Sequence, residues 1–133
     1  MKWLKRTGLI ILCLPFLLII IFILYEIFGM CMNRLATKQQ TERLQTNLKN
    51  EISDIEIKDI YSETENTSGT GNHVDCLSSI TFSTQMQEVE IKNSMSKYYA
   101  FDEWSCFVTK TDDRDYLFYL NTSAPFPDNI EGH

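Results

Sequence analysis

From Leu9 to Tyr25 the chain reads LIILCLPFLLIIIFILY, 17 residues without a charge, and after Glu26 the stretch IFGMCM carries the apolar character on to Met32. At a rise of about 1.5 Å per residue such a run crosses a hydrocarbon core of about 30 Å, where a single segment can satisfy its backbone polar groups only as a helix. A transmembrane helix over 9–32 is therefore the first expectation. Pro15 should kink this helix without ending it. Glu26 sits near one end, where it can reach the headgroups, and Trp3 and Tyr25 fall where interfacial aromatic residues belong.

Lys2, Lys5 and Arg6 also resemble the basic start of a secretory signal, so removal of the segment has to be weighed. The apolar run is too long for that reading. A cut after Ala36 would put Arg34 at the −3 position, a cut after Gly29 would put Ile27 there, and lipid modification of Cys31 would need a small residue where Met30 stands. An uncleaved signal anchor follows. The charges near the span's start are crowded, whereas Arg34, Lys38, Arg43 and Lys49 are dispersed, which favours residues 1–8 in the cytoplasm and the remainder outside the cell membrane.

Charge divides the chain in the same place. Residues 1–50 carry seven Lys or Arg against two Glu, net +5, whereas residues 51–133 carry five against sixteen acidic residues, net −11. An acidic domain lacks the cations needed to displace counterions from phosphates, which excludes nucleic acid as a partner.

Beyond the span, NRLATKQQTERLQTNLKN over 33–50 has neither Pro nor Gly and predicts a stalk helix, with Leu44, Leu48, Ile52 and Ile55 as a narrow apolar stripe that docks its last turns. Its first half reads as polar all round. Apolar residues then alternate at Ile55, Ile57 and Tyr61 and again at Val74, Cys76, Ile80 and Phe82, two strands separated by a polar tract with Gly69 and Gly71. Helical spacing returns over 85–100 through Ile91, Met95, Tyr98 and Tyr99. WSCFVTKT and YLFYLNTS form a second hairpin around Asp112–Asp115. The expected fold is α+β: a transmembrane and stalk helix, then a domain over 51–124 with an antiparallel four-stranded sheet (hairpin, helix, hairpin) and helices on one face. Residues 125–133, with Pro125 and Pro127, read as a flexible tail.

Two cysteines, Cys76 and Cys106, fall in predicted strands of the domain. They are expected as two buried thiols acting as small hydrophobes; the alternative is a disulfide between them, which would close a loop of about 30 residues and add on the order of 3 kcal/mol. Nothing in the sequence places the strands side by side. Gly69, Gly71, Asn72, His73 and Asp75 form the candidate interaction loop, with Asn72 and His73 expected to cap it through backbone hydrogen bonds. His73 and Asp75, two apart on extended chain, share a face, so a small hydrolase or metal-dependent enzyme built on His73, Asp75 and Glu63 is a rival reading. A zinc site needs three or four ligands, and the other histidine is His133; no nucleophile-elbow, phosphate-loop or dinucleotide motif is present, so no cofactor or metal is expected. Tyr98, Tyr99, Phe101 and Trp104 read as core.

The stretch YSETENTSGTGNH over 61–73, followed by a β-rich run and the Tyr98-Tyr99 pair, resembles small membrane-anchored or lipoprotein-like proteins of clostridial-type bacteria, chiefly through the Thr-Gly-Asn-His loop. The resemblance implies an extracytoplasmic location and brings no activity with it. The function expected is a membrane-tethered binding or interaction module at the cell envelope, with an envelope protein or ligand as partner. A subunit of a membrane complex, in which the span itself is the working part, is the further alternative. N-terminal sequencing of the mature protein should find no start beyond residue 28, as the uncleaved anchor requires.

Overall fold

The structure, a computed structural model, describes residues 2–67, 69 and 71–133, with side chains from residue 12 onward. The side chains of the basic segment and of Trp3 lie outside the described residues, as do Ser68 and Thr70 of the loop.

Span and stalk are one helix. Helix α1 runs from Lys2 to Glu51 and contains Pro15; no breaker separates residue 32 from 33. Side chains from Leu12 to Phe28 are mostly exposed, whereas from Gly29 onward one stripe is buried: Gly29, Asn33, Thr37, Thr41, Leu44, Leu48, continuing to Ile52 beyond the helix end. The spacing of three and four residues is that of a helix face against a core. The stalk does not stand clear of the domain as expected. It lies against the sheet along its whole length, because the half that reads as polar all round hides a stripe of small and hydroxyl-bearing side chains.

Strands β1 (Glu56–Glu65) and β2 (Asp75–Ser83) form one hairpin, and β3 (Cys106–Lys110) and β4 (Asp115–Ser123) the other. All neighbours are antiparallel, in the order β1-β2-β4-β3. Between the hairpins, α2 spans only Glu88–Met95, shorter than the 85–100 expected. Its start is set by a capping box in which the Gln87 N–H donates to Glu90 Oε2 at 2.7 Å. The α+β class expected from the pattern is the one observed. Ile80, Phe82, Tyr116 and Phe118 face the helices and meet Leu44, Leu48, Ile91 and Met95 in a single core. Of the four aromatic residues expected there, Tyr99 and Phe101 pack on Phe118 with ring centroids 5.6 Å away in each case. Tyr98 and Trp104 remain exposed.

A polar seam continues this core toward the apolar end of α1. The Thr37 hydroxyl donates to the Asn33 carbonyl and that of Thr41 to the Thr37 carbonyl, at 3.1 and 3.0 Å. The hydroxyls of Thr64 on β1 and Ser78 on β2 therefore act as donors to them, at 2.6 and 2.7 Å. Gln40 Nε2 donates to the Cys76 carbonyl at 2.8 Å and to Ser78 Oγ at 3.1 Å, while Gln40 Oε1 accepts from the Thr122 hydroxyl.

Cys76 and Cys106 are buried free thiols, the expected reading, and the alternative disulfide is not formed. Strand β4 lies between theirs, Cys76 facing Thr122 and Cys106 facing Leu120. Two strand spacings, about 10 Å, exceed what a disulfide can bridge. Residues 125–133, expected as a flexible tail, fold back along α1 and end in a 3-10 turn, Ile130–Gly132. Asn33 fixes them by donating to the Phe126 carbonyl at 3.0 Å and accepting from its N–H at 2.9 Å. Arg34 pairs with Glu131 at 3.0 Å.

Core and seam differ in what they cost to disturb. Phe118→Ala should lose about 3–5 kcal/mol through the cavity it leaves. Thr41→Val, which conserves shape but strips Ser78 of its acceptor, should lose about 1–3 kcal/mol. Denaturant unfolding of the detergent-solubilised chain measures both.

Candidate functional site

Strand alternation sends the odd-numbered residues of β2 and β4 away from α1. Register aligns them across the sheet as a row of Tyr61, Ser79, Tyr119 and Phe107, flanked on one side by Glu63, Leu77 and Asn121 and on the other by Asp59, Thr81, Leu117 and Thr109. Both α1 and α2 pack on the opposite face, so among the described residues no helix covers this one. Phe107 and Tyr119 stack with ring centroids 4.7 Å apart and planes 13° apart, a cross-strand pair in which each ring supports the other. Tyr61 on the edge strand is 47% exposed.

The edge of the face is acidic. Tyr61, Glu63 and Glu65 follow at spacing two on the same side of β1. Sharing of a proton with Glu63, then the Glu63 charge and burial, and last the Glu131 charge, push the Glu65 carboxyl above its usual range, while Glu63 likewise raises the Tyr61 phenol.

At the end of the face nearest residue 75 stands the candidate loop. Gly69 and Gly71 adopt φ of 67° and 70°, the left-handed region for which glycine is suited. Asn66 brackets them: its Oδ1 accepts from the Gly69 N–H at 3.1 Å and its Nδ2 donates to the Gly71 carbonyl at 2.5 Å. Asn72 is exposed. His73 Nε2 lies 2.8 Å from Asp75 Oδ1, so the pair expected to share a face is in contact. Asp75 is buried and takes a second bond from the Thr67 hydroxyl at 3.0 Å, which in turn accepts from Asn121 Nδ2. Gly132 closes the loop from behind, where a Cβ would lie 2.7 Å from the His73 carbonyl carbon.

The pair ties the loop to the sheet through Asp75, Thr67 and Asn121. Cys76, next in sequence, points to the opposite face, its thiol 3.9 Å from the Asn33 carbonyl and raised in pKa chiefly by burial. Among the described residues no three His, Cys, Asp or Glu side chains are placed to hold a metal ion. A groove of about 310 Å³ opens elsewhere, between α1 and β4, lined by Gln39, Gln40, Arg43, Tyr99 and Leu120.

The sequence pattern pointed to the loop and not to the row of side chains across the sheet. Tyr61, Ser79, Tyr119 and Phe107 come from four strands, and only the β1-β2-β4-β3 order assembles them. The alternation itself was the available signal, since Tyr116, Phe118 and Leu120 fall on one side of β4 and Leu117 and Tyr119 on the other.

The acidic edge gives a pH signature with two signs. Asp102 is held well below the usual carboxylate range by bonds from the Ser105 hydroxyl and from the N–H groups of Ser105, Trp104 and Cys106. Asp54 and Asp115 are lowered too, by Thr84 and by Lys58 respectively. Their stabilisation is present at neutral pH and lost as pH falls below about 4. Glu65 acts oppositely, since its raised folded-state pKa means that stability is lost as pH rises through that value. Glu65→Gln should therefore raise the melting temperature at neutral pH and match the parent below about pH 4, where both side chains are uncharged. No family model matches this chain, and no match was found among curated proteins or solved structures.

Proposed function

We propose that the chain is a membrane-tethered binding module of the cell envelope, in which the outer sheet face is the docking surface for an envelope protein. The tether is α1, long and apolar enough to cross a membrane. The cluster of Lys2, Lys5 and Arg6 favours the cytoplasm for the first residues and the extracytoplasmic side for the domain. One observation carries the binding reading: the row Tyr61, Ser79, Tyr119 and Phe107 lies open on the side of the sheet away from both helices. Aromatic residues held rigid by the fold give large contact area at small entropic cost, and Tyr is enriched among residues that dominate binding energy. The carboxylates along β1 favour a partner with basic residues beside an apolar centre. The resemblance carried by the Thr-Gly-Asn-His loop supports the same location.

A photo-crosslinking side chain at Ser79 should capture a specific partner in intact cells, and one at Lys49, exposed on α1, should not. Tyr61→Ala should weaken the complex by about 2 kcal/mol. Equal capture from Ser79 and Lys49 would end the reading, and full protection of the domain from externally added protease would reverse the orientation.

A further inference from the structure

Where α1 passes from its exposed apolar part to its buried stripe, residues 124–132 are strapped across it. Phe126 places its ring edge-on to Tyr25 and Phe28, with centroids 5.9 and 5.7 Å apart. Asn129 Nδ2 donates to the Glu26 carbonyl at 2.9 Å and to Glu26 Oε2 at 2.8 Å, and the Ile130 N–H donates to the same carboxylate oxygen at 3.0 Å. Glu26, expected to reach out to the headgroups, is instead satisfied from within the protein. Gly29 makes the close approach possible: a Cβ there would lie 2.7 Å from Asn129 Nδ2 and 3.4 Å from Phe126.

We infer that residues 125–132 form a membrane-interface element, which seats Phe126 and Ile130 in the headgroup layer of a phospholipid bilayer and stands the domain directly on its surface. The inference rests on the reading of α1 as a membrane span. On that reading the uncharged run ends at Tyr25, so a ring in contact with Tyr25 and Phe28 must lie at the depth where hydrocarbon gives way to headgroups. The rise from Glu26 to Arg34 is about 12 Å, more than the headgroup layer of one leaflet. The Arg34–Glu131 pair therefore comes at the water edge, and Phe126 and Ile130 below it.

The backbone of this segment is suited to a region poor in water. The N–H groups of Ala124, Phe126, Asn129, Ile130, Glu131 and Gly132 all donate to acceptors inside the protein. Pro125 and Pro127 have no N–H to satisfy. Unpaired donors are what bars irregular chain from the membrane, and the bonds and prolines remove most of them here. Ile130, 56% exposed beside this apolar collar, then meets lipid and not water.

The test uses the full chain reconstituted in phosphatidylcholine vesicles, with Trp3→Phe and Trp104→Phe removing both native indoles. Into this background goes Ile130→Trp, a substitution at an exposed position, or Phe126→Trp as an independent probe. Lipid brominated high on its acyl chains should quench the introduced indole, and aqueous iodide should not. A comparison chain that keeps Trp104, 84% exposed, should respond the other way. If the chain floats with the vesicles while both introduced indoles respond as Trp104 does, the interface element is overturned and the span survives. A chain that fails to float overturns the span and the inference together.

Discussion

Helix α1 changes its surroundings partway along one unbroken run, and the rest of the structure follows from where it does so. From Leu12 to Phe28 its large side chains are exposed; from Gly29 one narrow face is buried while the others stay exposed. A helix cannot alter its backbone to mark that boundary, so composition has to do so. The buried stripe begins with the smallest side chain available, passes through Asn33, Thr37 and Thr41, and becomes aliphatic only at Leu44. Near the boundary, close approach and hydrogen bonds hold the sheet to the helix; farther away, apolar burial does. Such a seam fixes the helix on the sheet in one register, because a shift of one residue would take the Thr64 and Ser78 hydroxyls and the Gln40 amide from their partners across the seam.

That division explains what could be read from the sequence. Apolar patterning exposed the long apolar helix, the stripe Leu44-Leu48-Ile52, four strands and a helix between hairpins, because each of these is marked by hydrocarbon side chains. The same reasoning passed over Asn33, Thr37 and Thr41, whose burial is compensated by hydrogen bonds that a hydropathy pattern does not register. It also passed over residues 125–133. Two prolines in nine residues forbid regular structure, yet Asn33, Glu26 and Arg34 supply from a distance the partners that regular structure would have supplied locally. The cysteines fall under the same lesson, since whether Cys76 and Cys106 could meet depended on β4 entering the sheet between them.

For the candidate site, the sequence located glycines in the left-handed conformation and the contact of His73 with Asp75, both local matters. What the contact is for depended on its surroundings. Asp75 is shared with Thr67, and the His73 backbone is pressed by Gly132, so the pair belongs to the framework of the loop. The open row across the four strands needed the full sheet order before it could be recognised. Its acidic flank also guards the exposed edge of β1, where a flat apolar strand would pair with other chains.

The continuity of α1 has a mechanical meaning. A flexible linker lets a tethered domain sample many orientations and dilutes any one surface among them. Here the helix runs unbroken from Phe28 to Glu51 with no proline in it, and the strap over Glu26 stiffens the place where a hinge would be most useful. The outer face is therefore carried at a set height above Tyr25 and a set azimuth about the helix axis. A pull or twist applied to that face would travel down the helix as a lever carries it, into the apolar half of α1.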